Sequence, residues 1–235
     1  MHPVTLKHVQ KTYRLDAIDV PALSDINLDI RANCFTVISG PSGSGKTTLL
    51  NLIGCIDQAD QGEVTVAGQH TRQMSDDALS DFRARHLGFV FQNFNLLAVL
   101  SAFENVEYPL LLTGMPKAQR RQRVLALLDA VGLANRAHNR PGQLSGGQRQ
   151  RVAIARALAA APRLVLADEP TANLDSQTGA EIIALMRRLQ RERGASFVFS
   201  SHDPMVLAQA DDVVRIRDGR IDAIEHRDTC AEVAA

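Results

Sequence analysis

The 235-residue sequence has no excess of charge of either sign, since 26 Lys and Arg residues balance 26 Asp and Glu residues. A protein without a positive field is not drawn onto phosphate backbones, so we expect no nucleic-acid partner. The sequence also has only three cysteines, Cys34, Cys55 and Cys230, without a CxxC spacing. This number and spacing favour neither a disulfide framework nor a zinc site, and we interpret all three as reduced packing thiols.

Long apolar runs are missing as well. No run approaches the roughly 20 residues that span a bilayer, and residues 1–15 lack the apolar block of a secretory signal. Internal repeats and low-complexity tracts are also absent. We therefore expect a cytoplasmic chain with no direct membrane insertion, whose membrane role, if it has one, depends on a partner.

Short, apolar, β-rich runs alternate with longer helical stretches along the chain. This alternation predicts an α/β fold with a mainly parallel sheet. The predicted strands of this sheet are short and buried on both faces, at 35–39, 88–91, 164–167 and 196–200. Alternating apolar residues at 25–30 and 63–67 predict an N-terminal antiparallel β flap beside the main sheet.

Helix signals replace strand signals between residues 93 and 161. Pro116 favours a helix start, Val124 belongs to an apolar face, and Gly132 favours the helix end. We interpret this stretch as an inserted α-helical subdomain. The sequence predicts a single domain over 1–235, made of a core from 1–92 and 162–235 and a helical subdomain at 93–161.

A glycine-rich segment follows the predicted strand at 35–39 and continues into a helical pattern. It matches G-x-x-x-x-G-K-[ST] at every fixed position with Gly40, Pro41, Ser42, Gly43, Ser44, Gly45, Lys46 and Thr47, followed by Thr48. Glycines let backbone N–H groups surround phosphate oxygens, and the helix start adds positive dipole. We expect Lys46 to reach the β- and γ-phosphates of ATP and Thr47 to bind Mg²⁺. The core is therefore predicted to be a P-loop NTPase fold.

Two adjacent carboxylates, Asp168 and Glu169, follow the predicted strand at 164–167. Neighbouring side chains of a strand point to opposite faces, so beyond its end the two acids can take separate roles. We expect Asp168 to hold Mg²⁺ or its water, and Glu169 to polarise the attacking water. Hydrolysis is favoured over transfer to a second substrate, because the sequence offers no identifiable site for another acceptor.

The segment 144–148, with the sequence LSGGQ, begins a helix that we predict over 149–160. Serine and glycines at a helix start supply free N–H groups and a hydroxyl, which make a second anion site. With these motifs in order, the chain resembles the ATP-binding cassette (ABC) family over nearly its whole length. In that family two subunits pair head to tail, and each signature closes over the γ-phosphate held by the other. The resemblance implies roles in trans for Ser145, Gly146, Gly147 and Gln148.

Other positions also resemble functional residues of the family. The resemblance implies that Tyr13 stacks on adenine, that Gln92 touches Mg²⁺ and links the site to the helical subdomain, and that His202 contacts the γ-phosphate. Asp175 lies in a segment that crosses the dimer interface in the family, so it too is expected to act in trans. The expected catalytic residues are Lys46, Glu169 and His202, and the expected Mg²⁺ ligands are Thr47, Gln92 and Asp168.

Within the family, the segments 91–97 and 104–111 resemble ATP-binding subunits that act in lipoprotein release, macrolide efflux or cell division. The resemblance implies a homodimer that binds ATP and Mg²⁺, closes, hydrolyses ATP and reopens. It also implies integral membrane permease subunits that dock near Gln92. The chain would then be peripheral on the cytoplasmic face of the inner membrane.

Two functions stay open on the sequence. The chain drives a permease of the export or lipoprotein-release type, or it signals across the membrane without moving a substrate, as the cell-division members do. Soluble cassette proteins of DNA repair or translation are disfavoured. The repair type splits its motifs around a long coiled coil, and the translation type carries two cassettes in one chain.

Overall fold

The computed structural model of the protein describes residues 2–16 and 18–227. Its strands are β1 (Val4–Leu15), β2 (Ile18–Ile30), β3 (Phe35–Ser39), β4 (Gln61–Val66), β5 (Gln69–His70), β6 (Leu87–Val90), β7 (Leu164–Asp168), β8 (Ser196–Ser200), β9 (Asp212–Arg217) and β10 (Arg220–His226). Its α-helices are α1 (Lys46–Ile53), α2 (Asp76–His86), α3 (Ala102–Glu107), α4 (Lys117–Ala130), α5 (Gly146–Ala157), α6 (Ser176–Arg193) and α7 (Pro204–Ala208). Short 3₁₀ helices occur at Thr71–Gln73, Tyr108–Thr113, Ala134–Arg136 and Pro141–Gln143.

The main sheet has the strand order β10-β9-β3-β8-β7-β6. Neighbouring strands from β9 to β6 are parallel, and β10 pairs antiparallel with β9. Strands β3 and β8 are buried along their whole length, as central strands covered on both faces must be. The predicted α/β fold with a mainly parallel sheet is confirmed.

The N-terminal strands form a second, antiparallel sheet in the order β2-β1-β4-β5. The predicted antiparallel flap is therefore confirmed, although its central strand β1 was not among the predicted strands. Register shifts follow Leu6 and Val9, and His8 has a φ of 51°. These irregularities break the alternation of apolar residues by which a strand is recognised in a sequence.

The last two strands of the main sheet were not predicted either. Strand β9 contains Asp212, Arg215 and Arg217, so its sequence does not form a continuous apolar run. Asp212 is nevertheless buried, because the Arg31 guanidinium pairs with it at 2.6 Å between Nη2 and Oδ1. Arg31 lies 181 positions away in the sequence, which explains why local pattern alone did not identify β9.

Residues 93–161 are all described, and they contain helices but no strand. Helix α4 begins directly after Pro116, and Gly132 follows its end with a φ of 74°. Helix α5 begins at Gly146 and ends at Ala157, so it lies three residues earlier than the predicted 149–160. The boundaries of the ATP-binding core and the helical subdomain stay a prediction.

Strands β3, β8 and β7 are adjacent and parallel, so their carboxyl ends meet at one edge of the main sheet. The phosphate loop follows β3, and Asp168 lies opposite Ser200 where β7 and β8 end. Apolar clusters cover both faces of the sheet and hold these strands in place. Ligand sites of open α/β sheets lie at such an edge, which is where the phosphate loop and the predicted carboxylates meet.

The cysteines differ in their states. Cys55 is a free, buried thiol, and burial raises its pKa to about 11. Cys34 is disulfide-bonded, so the interpretation as a reduced thiol is wrong for this residue. Cys230 lies outside the described residues.

Within residues 2–16 and 18–227, no helix combines the length and apolarity that crossing a membrane requires.

Candidate nucleotide-binding site

The phosphate loop, residues 40–48, joins β3 to α1 at the carboxyl edge of the main sheet. Gly45 is the N-cap of α1 with a φ of 103°, and a Cβ there would lie 2.7 Å from the Ala22 carbonyl oxygen. Only glycine fits this position. No side chain caps the helix, so the N–H groups of its first turn are available to an anion.

The loop folds around its own lysine. Lys46 Nζ donates to the carbonyl oxygens of Gly40 and Pro41, both at 2.8 Å. The Ser44 hydroxyl is buried, and no described residue hydrogen-bonds to it. A positive charge, an unused hydroxyl and a free helix start are the donors that a polyphosphate needs.

A cavity of about 370 Å³ opens beside this loop. It is lined by Tyr13, Val20, Pro21, Ala22, Ser42, Gly43, Gly45, Lys46, Thr47, Thr48, Glu169 and Ser200. The lining combines an aromatic ring and apolar residues of the flap with the phosphate loop and a carboxylate. This combination suits a nucleotide, which has an aromatic base and a charged phosphate chain.

The two carboxylates at the end of β7, Asp168 in the strand and Glu169 directly after it, make separate contacts. Asp168 accepts a hydrogen bond from Ser200 Oγ, and its Oδ1 lies 3.4 Å from Thr47 Oγ1. Glu169 Oε1 instead lies 2.9 Å from His202 Nδ1, and its Oε2 lies 3.5 Å from Ser201 Oγ. Glu169 has a φ of 43°, which lies in the left-handed region of backbone conformation. The chain therefore changes direction at Glu169.

Thr47 and Asp168 form a donor set that fits Mg²⁺. Both supply oxygen, the ligand this hard cation prefers, and Mg²⁺ is commonly held by few protein groups together with phosphate oxygens and water. The Gln92 side chain makes no hydrogen bond to either residue in the part of the chain described. The structure therefore brings two of the three predicted metal ligands together.

Gln92 is exposed after β6, and its surroundings connect distant elements. Asn173 Nδ2 donates to the Gln92 carbonyl oxygen at 3.0 Å and to Asn93 Oδ1 at 2.9 Å. Arg156 on α5 donates to the Phe94 carbonyl oxygen at 2.8 Å. The segment after β6 is thus bonded both to α5 and to the segment that precedes α6.

The signature segment 144–148 forms a capped helix start. Ser145 Oγ accepts from Gln148 N–H at 3.2 Å, and Gln148 Oε1 accepts from Ser145 N–H at 3.0 Å. A Cβ on Gly147 would lie 2.5 Å from Thr178 Cγ2, so α5 and α6 approach closely there. Gly146 is the first residue of α5. Across residues 2–16 and 18–227, no hydrogen bond or ion pair joins this segment to the phosphate loop.

Asp175 is exposed and caps α6, accepting from Thr178 N–H at 2.9 Å. Hydrogen bonds from the backbone and the side chain of Thr178 hold the pKa of Asp175 below its ordinary value. Like Ser145, it makes no contact with the phosphate loop of its own chain among the described hydrogen bonds. Both residues are thus at exposed helix starts, where another molecule can reach them.

Several residues near the site were missed in the sequence. Ser200 and Ser201 contact the two carboxylates, and Asp57 contacts Tyr13. The two serines directly precede His202, but the adjacency of β7 and β8 that brings them to the carboxylates is a tertiary feature. Asp57 lies 44 positions from Tyr13, and no sequence signal connects them.

A phosphate loop between a parallel strand and a helix, beside an acidic pair at the end of the second strand along, defines a P-loop nucleotide-binding protein. The ABC transporter family model matches residues 23–172. The chain belongs to the ABC transporter family.

Proteins similar in sequence agree with this family. An ABC transporter ATP-binding protein of Thermotoga maritima is 48% identical over 222 residues, which are 94% of each chain. The macrolide export ATP-binding/permease protein MacB of Photorhabdus laumondii is 45% identical over 216 residues, 92% of this chain. That alignment covers 33% of the MacB protein, so this chain spans about a third of its length.

Solved structures of ABC cassettes share the fold. The cassette MJ0796, described as a dimer in a post-hydrolysis state bound to ADP and Pi, aligns with a TM-score of 0.87 and 44% identity, covering 95% of this chain and 98% of that one. The cassette cbiO1 of Clostridium perfringens, part of the complex cbiONQ, aligns with a TM-score of 0.86 and 27% identity, covering 96% of this chain and 88% of that one.

Proposed function

We propose that this chain is the ATP-hydrolysing subunit of a transporter, and that two copies of it bind two ATP molecules between them. The observation that carries the proposal is the cavity of about 370 Å³, which unites Tyr13, the phosphate loop and Glu169. A base stacks on Tyr13 while the phosphates extend along the loop. This places the terminal phosphate near the carboxylates at the sheet edge.

The residues of the loop bind and orient the phosphates. Lys46 exchanges its contacts with Gly40 and Pro41 for phosphate oxygens, and the N–H groups at the start of α1 supply further donors. Thr47 and Asp168 would hold Mg²⁺, which when bound neutralises charge on the phosphates. Gln92, whose side chain is exposed, would supply the third protein ligand.

Glu169 is the group placed to act on water. Its carboxylate is largely shielded from solvent and is held by His202 at 2.9 Å. We assign Glu169 as the base that polarises the attacking water, and His202 as the residue that orients Glu169 and senses the γ-phosphate. General-base assistance of this kind contributes roughly 10²–10⁴-fold to a rate.

A second copy would complete the site. Ser145, Gly146, Gly147 and Gln148 present a helix start that does not contact the phosphate loop of their own chain, and Asp175 is exposed beside it. The N–H groups of such a start bind anions, so a second chain can place them over the γ-phosphate. The dimer of MJ0796 with ADP and Pi supports this arrangement by analogy.

Permease subunits are proposed to dock next to Gln92. A cavity of about 350 Å³ adjoins this segment, and its apolar lining includes Phe89, Phe91, Tyr108, Pro109 and Leu112. Tyr108 and Leu112 are exposed despite their apolar character, as expected for surface that a partner covers. The chain would then lie on the cytoplasmic face of the membrane, attached through these subunits.

Export is the proposed mode of action. It is supported by the macrolide export proteins among the relatives, which are named as combined ATP-binding and permease proteins. ATP-driven signalling without a transported substrate is the alternative. A reconstituted complex separates the two, because only an exporter moves a substrate across vesicles when ATP is added.

The central experiment replaces Glu169 by Gln. The amide retains a hydrogen-bonding group toward His202 but cannot act as a base, so ATP binding should persist while hydrolysis falls by roughly 10²-fold or more. A closed dimer should then accumulate, because ATP stays bound without being hydrolysed. The measurements are steady-state phosphate release and size-exclusion chromatography with ATP and Mg²⁺.

Glu192→Gln is the matched control, because Glu192 is an exposed glutamate paired with Arg188 on α6. It should hydrolyse ATP like the wild type and should not accumulate a dimer. If Glu169→Gln remains monomeric with bound ATP, the shared-site proposal is wrong. If it hydrolyses ATP at the wild-type rate, the assignment of the base is wrong.

A further inference from the structure

A polar cluster supports the tyrosine that lines the cavity. Tyr13 Oη donates to Asp57 Oδ2 at 2.9 Å. Lys11 Nζ donates to the other carboxylate oxygen, Oδ1, at 2.7 Å and to the Gln58 carbonyl oxygen at 2.8 Å. Both oxygens of Asp57 are thus engaged, one by each neighbour on β1.

Lys11 is unusually buried for a lysine, with 9% of its surface exposed. Its ammonium lies 5.2 Å from the centroid of the Tyr13 ring, and Asp60 lies 3.7 Å from Nζ. Burial raises the pKa of Tyr13, and its hydrogen bond to Asp57 raises it further, so the phenol keeps its proton and remains a donor. Burying the polar and charged side chains of this cluster costs free energy, and an exposed tyrosine would not carry this cost.

Asp57 also connects Tyr13 to the helix of the phosphate loop. Its backbone N–H donates to the Asn51 carbonyl oxygen at 3.3 Å, and Asn51 belongs to α1. Helix α1 begins at Lys46 in the phosphate loop. A short path of bonds therefore fixes the position of the ring relative to the groups that bind phosphate.

We propose that Asp57 is a positioning residue that holds the Tyr13 ring as the platform for the nucleotide base, while Lys11 fixes the carboxylate of Asp57. This inference rests on the proposed function and adds residues to it. A ring that Asp57 already holds in position loses less conformational entropy when the base stacks on it, so the Tyr13–Asp57 hydrogen bond raises the affinity for nucleotides. This hydrogen bond does not act on the phosphates.

The test compares ATP with inorganic tripolyphosphate, which has no base, by calorimetric titration in EDTA. Tyr13→Phe keeps the ring but removes the donor to Asp57, and Asp57→Ala removes the acceptor. Each should weaken ATP binding about 3- to 10-fold, the usual worth of one hydrogen bond. The double variant should lose no more than the stronger single variant, because both remove the same contact.

Tripolyphosphate affinity should be unchanged in all three variants. In turnover, KM for ATP should rise while kcat at saturating ATP stays constant, a split that general destabilisation would not produce. Glu107→Ala is the control. Glu107 also forms a shielded ion pair, with Arg120 at 3.0 Å, but it does not line the cavity. It should change neither affinity.

Unchanged ATP affinity in Tyr13→Phe would overturn the proposal, and so would additive losses in the double variant. An equal loss of tripolyphosphate affinity would also overturn it, because Asp57 would then act through α1. A different result would contradict the proposed function, namely a wild-type chain that binds neither ATP nor tripolyphosphate.

Discussion

Glu169 shows how a single backbone conformation serves the site. Its φ of 43° lies in the left-handed region, which costs a non-glycine residue roughly 1–2 kcal/mol. The backbone N–H of Glu169 donates to the Ser200 carbonyl oxygen at 3.0 Å, which holds the turn in place. The adjacent strand thus maintains a strained residue at the position where the two carboxylates take separate contacts.

Cys55 provides a test of burial at the residue scale. Its thiol has a pKa of about 11 in the folded chain against an ordinary value of 9.0, because burial disfavours the thiolate. Between pH 9 and 11 the unfolded chain therefore loses a proton that the folded chain retains. The contribution of this thiol to stability is fully present below pH 9 and declines as the pH rises to 11, by up to roughly 2–3 kcal/mol.

Cys55→Ala removes this titration. The free energy of unfolding of the wild type, minus that of Cys55→Ala, should therefore decrease from pH 8.5 to pH 11, as measured by urea unfolding. Ile53→Val is the control, since Ile53 is buried in the same apolar cluster and does not titrate. A wild-type-to-Cys55→Ala difference that is independent of pH would show that the thiol is not desolvated.

At the scale of elements, the turn between β9 and β10 supports the phosphate loop. Gly219 N–H donates to the Ser44 carbonyl oxygen at 3.1 Å, and Ser24 N–H donates to the Gly219 carbonyl oxygen at 2.8 Å. A Cβ on Gly40 would lie 2.1 Å from the Ile216 carbonyl oxygen, so the loop and β9 are in direct contact. A hairpin missed in the sequence therefore shapes the predicted loop.

Gly219→Ala should destabilise the chain by about 1–3 kcal/mol and weaken ATP binding. The reason is that Gly219 has a φ of 71° and its Cβ would lie 2.7 Å from the Ala22 carbonyl oxygen, which displaces the turn from Ser44. The measurements are urea unfolding and ATP titration.

Gly114→Ala is a control with the same φ of 71° but no atom within 4 Å of its Cβ. It should cost about 1 kcal/mol of stability and leave ATP affinity unchanged. Equal ATP affinity in the two variants would contradict a supporting role for the turn.

At the scale of the whole molecule, the segment after β6 links three regions. It lies between the sheet edge, helix α5 and the apolar cavity proposed for permease docking. Arg156 lines this cavity and also donates to Phe94, so a partner seated there contacts the same arginine that holds the segment.

Leu112→Glu should weaken binding to the permease roughly tenfold or more, because Leu112 is 71% exposed and lines the proposed docking cavity. ATP hydrolysis by the purified chain should not change. The measurement is co-sedimentation with membrane vesicles that carry the permease subunits.

Leu125→Glu serves as the control, since Leu125 is another exposed leucine, at 40%, on helix α4. It is absent from the cavity lining and should bind vesicles like the wild type. If both leucine variants bind equally well, the docking surface lies elsewhere.

The sequence by itself determined the fold class, the phosphate loop and the signature helix start. These depend on local patterns: Gly45, Lys46 and Ser145 act through the backbone beside them, and β3 and β8 are recognisable as short apolar runs. The outlying strands β1, β9 and β10 were not predictable, because bulges and charges break their patterns and pairing with distant strands stabilises them.

Only the tertiary structure decided which side chains meet. Pairings such as Asp57 with Tyr13 and Asp168 with Ser200 join residues 44 and 32 positions apart. It also decided that the exposed Gln92 side chain makes no hydrogen bond to Thr47 or Asp168 among the described residues. Such contacts depend on how strands and loops pack, and packing is set by the burial of the whole core rather than by any local stretch of sequence.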